Sequence, residues 1–197
     1  QIVPAAASAD GNGIDVNTAP APDGTPVVTL YLDYQCPNCR QFEDTFGPML
    51  ASEAEAGTWT LQYKTLVFMD QNLQNTASTR AALAASCAAD QGYYSPYHDT
   101  VFQNQGQEII GDEGYSDDLL RDVIPNAIGM NADEIATFQQ CYDDKQTSQF
   151  VADVDKSAYD DGVRSTPTLA VNGQPLDLSR LPDATPEGLK AFILANA

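Results

Sequence analysis

Val27-Val28-Thr29-Leu30-Tyr31-Leu32-Asp33-Tyr34-Gln35-Cys36-Pro37-Asn38-Cys39-Arg40-Gln41-Phe42 decides how this chain is read. Its first half is β-branched and aromatic, the composition of a strand. Its second half opens an amphipathic helix, with Phe42, Phe46, Met49 and Leu50 at helical spacing. Two cysteines three apart sit where the strand hands over to the helix. With Cys36 as N-cap, Pro37 takes the first helical position, where its missing N–H costs nothing. Backbone donors at the helix start then converge on the Cys36 sulfur, and the helix dipole favours its thiolate. A lowered pKa makes Cys36 the attacking nucleophile, and Cys39, one turn into the helix, the covered resolving thiol.

Other readings of this pair compete with redox chemistry. A structural disulfide across one turn would remove little entropy from the unfolded chain. A zinc site needs two further ligands, and Cys87, Cys141 and the single His98 are too scattered for the usual spacing, so no metal is expected. A chance pair does not account for the strand before it and the helix after it. Thiol chemistry is the favoured reading.

The 197 residues suffice for one domain with a substantial core, or one domain carrying an inserted subdomain. Nine basic residues stand against 28 acidic ones, a net charge of -19 that argues against nucleic-acid binding and against anionic membrane surfaces. Solubility is the simplest role for that charge. Four cysteines, an even number, suit an oxidising compartment. No apolar run reaches membrane-spanning length. The chain starts at Gln1 without an initiator Met, and reads as a mature or trimmed fragment from which an upstream signal or anchor was removed.

Along the chain, residues 1–24 read as a tail or linker with a short strand around Ile14 and Val16. After the central strand and its helix, Thr58 to Phe68 forms a second strand and completes a βαβ unit. From Asn72 the pattern turns helical: Ala77 to Asp90, Tyr93 to Asn104, Ser116 to Ile124, a helix beginning at Asn131 or Ala132, and Thr147 to Asp161. Residues 72–145 are too long for a loop and read as an all-helical insertion. Strand character returns at Thr168 to Val171, and Asn172-Gly173 predicts a type I′ turn into a partner strand from Gln174 to Leu178. Thr185-Pro186-Glu187 opens a last helix, with Thr as cap and Pro at its first position.

Val163-Arg164-Ser165-Thr166-Pro167-Thr168 supplies the second piece of evidence. Proline at a strand entry cannot donate to the ladder. A cis Thr166–Pro167 bond, which would bend this loop toward another element, is favoured here only in combination with Cys36-Pro37-Asn38-Cys39.

This order of motifs, from about Pro26 onward, resembles bacterial disulfide oxidases of the DsbA type. Tyr93-Tyr94-Ser95-Pro96-Tyr97-His98-Asp99 also resembles a segment of their helical domain. The resemblance implies an α/β thioredoxin fold, a central mixed sheet flanked by helices, formed by residues 25–71 and 146–197 with 72–145 inserted. It implies Cys36 as exposed nucleophile and Cys39 as buried partner, with Pro37 and Asn38 tuning thiolate stability. Pro167 would be cis, and the Thr166 backbone would pair with an extended substrate peptide. The direction of the cysteine pKa shift belongs to the resemblance, since DsbA and thioredoxin are themselves reference cases for it. The chain departs from the family at two places. Asn38 stands where strongly oxidising members often carry His, and Leu30 stands where relatives commonly bury an acid. Asp33 has the opposite strand parity, so that acid's proton-handling role is not transferred to it.

Cys87 and Cys141 fall on two predicted helices of the insertion. A structural disulfide between them is favoured over two buried thiols or a second relay, because neither has Cys-x-x-Cys spacing. His98, among Tyr93, Tyr94, Tyr97 and Phe102, reads as a packed or hydrogen-bonded structural residue. The expected activity is a dithiol–disulfide oxidoreductase that introduces disulfides into exported proteins outside the cytoplasm, in a bacterial cell envelope. No cofactor is expected. Its partners would be reduced or unfolded polypeptides and a membrane protein that reoxidises it, with the chain itself a monomer. The alternatives are a disulfide reductase or isomerase and, from a different class, a peptide-binding thioredoxin-like module.

Overall fold

A computed structural model describes residues 1–197. Two strands precede the cysteine pair: β1 (Ile14–Asp15) and β2 (Val27–Leu32). The helix α1 (Pro37–Glu55) follows, then β3 (Thr60–Thr65). β2 and β3 run parallel, with Val27 opposite Thr60 and Leu32 opposite Thr65, as a βαβ unit requires. β4 (Thr168–Val171) and β5 (Gln174–Pro175) extend the other side of β2 antiparallel, and β1 pairs antiparallel with β3. The five-stranded order is β1-β3-β2-β4-β5. β2 is therefore central, and all of it except Val27 is buried.

Between β3 and β4 lie α2 (Met69–Leu73), α3 (Ala77–Asp90), α4 (Tyr94–Gln103), α5 (Ile124–Ala127), α6 (Ala132–Asp143) and α7 (Ser148–Asp160). α3 is buried on nearly every side, and its run of alanines lets α4, α6 and α7 pack close around it. One apolar cluster runs from Val28, Leu30 and Leu32 of β2 through α3 to Phe138 and Cys141 of α6. Sheet and helical block thus share a single core. Cys87 and Cys141 are joined by a disulfide that ties α3 to α6. α8 (Pro186–Ala195) closes the chain, its N-cap Thr185 hydroxyl accepting from the Gly188 N–H at 3.1 Å.

Local differences from the sequence reading have identifiable causes. Residues 1–24, expected as a tail, lie against the body: the Ile2 N–H donates to the Gln146 carbonyl, and Ile14 is buried. The Asn17 amide bridges the Ala54 and Trp59 carbonyls. The segment expected as a helix from Ser116 is a π-helical turn, Leu119–Val123, running into α5. Pro125 has no N–H to return to the Arg121 carbonyl, and the Gln139 amide donates to that carbonyl instead. The last hairpin turns at Asn172 and Gly173, both with positive φ. Its second strand stops after two residues where Leu178 was expected, since Pro175 cannot continue the ladder and a 3-10 turn follows at Leu178–Arg180. No helix is long and apolar enough to cross a membrane.

Candidate active site

The turn after β2 is fixed before its cysteines are reached. The Cys36 N–H donates to the Asp33 carbonyl at 3.0 Å, and the Asp33 carboxylate accepts from the Gln35 N–H, the Met69 N–H and the Ser78 hydroxyl. Asp33 is fully buried, and desolvation pushes its carboxyl up to about 7. Its partners lie toward α2 and α3. It works as the knot between the central strand and the helical block.

Cys36 is the N-cap of α1, in extended conformation, with Pro37 at the first helical position. Its carbonyl accepts the Cys39 and Arg40 N–H groups at 3.1 and 3.2 Å. Both thiols are free, and the Cys36 S–H donates to the Thr166 carbonyl at 3.7 Å. The Thr166–Pro167 peptide bond is cis. Thr166, 130 residues beyond Cys36, is thus brought onto the sulfur by β4 pairing with β2, with Pro167 next to it in the chain. Pro37 and Asn38 are exposed beside it.

Cys36 itself is more covered than an open nucleophile would be, at 7% exposure against 1% for Cys39. The Thr166 carbonyl against its sulfur accounts for part of that cover, and Pro37 and Asn38 are the exposed residues next to it in the chain. The two thiols are electrostatically unequal. A hydrogen bond from the Cys39 thiol draws the Cys36 pKa down to about 6 against the opposing effect of burial. The Thr166 hydroxyl, and the Cys39 and Asn38 N–H groups at the helix start, add to that stabilisation. The Thr166 hydroxyl is buried without a hydrogen-bond partner, which leaves its dipole to act on the sulfur. Burial first, and then the neighbouring Cys36 sulfur, push the Cys39 thiol far up. One sulfur holds charge and the other holds a proton.

Sequence reasoning did not single out the residues that clamp this turn from the helical block. The Gln105 amide donates to both the Tyr34 and Cys36 carbonyls at 3.0 Å. The Tyr115 hydroxyl donates to the Tyr34 carbonyl at 2.5 Å, and Arg40 donates back to the Gln105 carbonyl at 3.0 Å. These partners lie about seventy residues apart in a stretch without regular periodicity, so no local signal marks them. His98 is buried, with its Nδ1 2.8 Å from the Tyr34 hydroxyl and its ring stacked on Tyr94. Cys87 and Cys141 lie in the core of the helical block, apart from Cys36 in their bonding.

This chain matches the Thioredoxin family model over residues 21–194, and it belongs to that family. Among solved structures it is similar to a disulfide bond oxidoreductase, DsbG, from Mycobacterium tuberculosis, at 26% identity and a TM-score of 0.72, over 94% of this chain and 87% of that one. The oxidised DsbA of the same organism aligns at 25% identity and a TM-score of 0.74, over 93% of this chain and 91% of the other. MdbA, a thiol-disulfide oxidoreductase from Corynebacterium diphtheriae, shares the fold at 19% identity and a TM-score of 0.74, over 100% of this chain and 95% of its own. No curated protein sequence matches the chain.

Proposed function

We propose that this protein is a thiol–disulfide oxidoreductase that introduces disulfide bonds into exported proteins through a Cys36–Cys39 disulfide. The observation that carries this reading is geometric: Cys36 caps α1 with its sulfur 3.7 Å from the Thr166 carbonyl, and Cys39 lies one turn in at 1% exposure. In the oxidised protein a substrate thiolate attacks the Cys36 sulfur, the Cys36–Cys39 bond breaks, and Cys39 leaves and takes a proton. A second substrate thiolate then attacks the substrate sulfur of the mixed disulfide and expels Cys36 as thiolate. The substrate loses two electrons and the protein gains them. The low pKa of Cys36 speeds its departure in the second step, and the stability of its thiolate in the reduced protein favours oxidation of the substrate.

Thr166 and Pro167 are the substrate-binding loop in this reading, with the Thr166 backbone taking an extended peptide as an added strand. Pro37 and Asn38 set the thiolate's stability at the helix start. Asn38 carries no charge, but its N–H acts on the sulfur. The substrates are reduced polypeptides outside the cytoplasm, and a membrane partner restores the disulfide after each cycle. The neighbours named as oxidoreductases and the Cys87–Cys141 disulfide support an oxidising location.

The test is a thiol count. Oxidised protein is mixed with an equimolar reduced peptide bearing two cysteines, and free thiols are mapped on each by mass spectrometry after acid quench. The expected result is loss of the peptide's thiols with equal appearance of Cys36 and Cys39 thiols. A peptide that stays reduced while Cys36 and Cys39 stay bonded would overturn the proposal.

A further inference from the structure

A cavity of about 330 Å³ opens between α1 and α4, with Tyr63 of β3 also in its wall. Glu43, Gly47, Tyr94, His98 and Asp99 contribute to its wall. Glu43 lies one turn beyond Cys39 and is 8% exposed; His98 is 2% exposed. Glu43 Oε1 and His98 Nε2 both lack any hydrogen-bond partner, as does the buried hydroxyl of Tyr94. A buried carboxylate and a buried ring nitrogen left open in one place carry a desolvation cost that something must offset. No lysine or arginine pairs with Glu43; its only cationic neighbour would be His98 itself.

The geometry suits a metal ion better than a direct bond. Glu43 Oε1 and His98 Nε2 are 3.6 Å apart, too far for a hydrogen bond. Two ligands at ~2.0–2.1 Å from one tetrahedral ion are separated by roughly 3.3–3.4 Å, close to that spacing. One ligand atom from each of Glu43, His98 and Asp99 lies within 4.8 Å of the other two, with Asp99 the exposed member of the three. The His98 Nδ1 lies 2.8 Å from the Tyr34 hydroxyl, and in the tautomer whose Nδ1–H donates to that oxygen the Nε2 lone pair faces Glu43. Gly47 completes the arrangement: a Cβ there would lie 2.6 Å from Glu43 Oε2. A mid-helix glycine costs about 1 kcal/mol relative to alanine, and here it clears the space the carboxylate occupies.

We infer that Glu43, His98 and Asp99 form a binding site for a divalent transition ion of the Zn²⁺ class, with water from the cavity in the fourth position. One imidazole with two carboxylates is a zinc-type donor set, whereas Ca²⁺ and Mg²⁺ take oxygen ligands. Two carboxylates match the ion's charge, and the net charge of -19 raises the local concentration of cations. The ion would tie the helix that begins at Cys36 to α4 of the helical block. Primary structure does not announce this site, because Glu43 is 55 residues from His98. It departs from the expectation of no metal, which weighed only the cysteines and His98.

The inference is independent of the redox reading, and its test keeps the two apart. Zn²⁺ is titrated into the oxidised protein, in which Cys36 and Cys39 offer no thiolate, and both calorimetric binding and Tm are followed. The expected result is saturable binding of one ion per chain, with Tm raised by about 5–10 °C at a hundredfold excess over Kd. Asp99→Asn, at an exposed position, and the isosteric Glu43→Gln should each weaken binding at least tenfold. Mg²⁺ and Ca²⁺ should produce no comparable shift. Absence of one-site Zn²⁺ binding in the wild type, or unchanged binding in the folded Asp99→Asn variant, overturns the assignment.

Discussion

Replacing Cys36 with alanine is expected to reduce the rate of oxidative refolding of a multi-disulfide substrate to that of the uncatalysed reaction, a loss on the order of a hundredfold or more. The reason is specific to the geometry. Cys39 is 1% exposed, and burial holds its thiol in the protonated state, so it cannot replace Cys36 as the sulfur that forms the mixed disulfide with substrate. The fold should tolerate the change. The Cys36 side chain makes weak sulfur contacts, the Thr166 carbonyl at 3.7 Å among them, while the turn is held by backbone bonds and by Gln105 and Tyr115. Circular dichroism should therefore show an intact fold beside a silent assay. Refolding at the wild-type rate by Cys36→Ala would remove Cys36 from the mechanism.

The second large effect is on stability. Cys87 and Cys141 close a loop with a sequence separation of 54. In the chain-entropy account a loop of that length restricts the unfolded state by ~4 kcal/mol. For a chain of this size each kcal/mol moves Tm by roughly 2–4 °C, so Cys87→Ser/Cys141→Ser is expected to melt about 8–16 °C lower. Both positions are buried in the shared core, so two hydroxyls placed there add to the loss. Below its melting temperature the double variant should retain the Cys36 chemistry, because neither residue contacts the active-site turn. Calorimetry with a parallel refolding assay checks both halves. An unchanged Tm would contradict the stapling role, and loss of activity in the folded variant would contradict its separation from the redox site.

What could be read before the structure follows a physical divide. The strand into Cys36-Pro37-Asn38-Cys39, the alanine-rich α3 and the Asn172–Gly173 turn are specified by neighbours in sequence. Helical spacing, Pro at the first helical position and positive φ all act within a few residues. Thr166 and Pro167 could be anticipated only by adding family resemblance to a proline in an awkward place. Gln105, Tyr115 and the cluster of Glu43, His98 and Asp99 were beyond reach. Their meaning lies in contacts made across the fold, by polar residues whose local pattern is that of an ordinary loop or helix surface. The packing of residues 1–24 was missed for a related reason. A segment with few apolar residues can still be pinned by single contacts, such as buried Ile14 and the Asn17 amide.

The central claim is that the fold makes Cys36 a stabilised thiolate, and its pH titration tests this most directly. The folded pKa of about 6 lies below the ordinary value of 9.0 for an unperturbed cysteine. A lowered folded pKa stabilises the reduced protein fully above the unfolded value, and that contribution is lost as pH falls through about 6. Reduced protein is alkylated over a range of pH, with labelling of Cys36 and Cys39 resolved by mass spectrometry. The account expects the Cys36 rate to reach half its maximum near pH 6 and Cys39 to stay unlabelled throughout. A Cys36 midpoint near pH 9, or equal labelling of the two thiols, would contradict it.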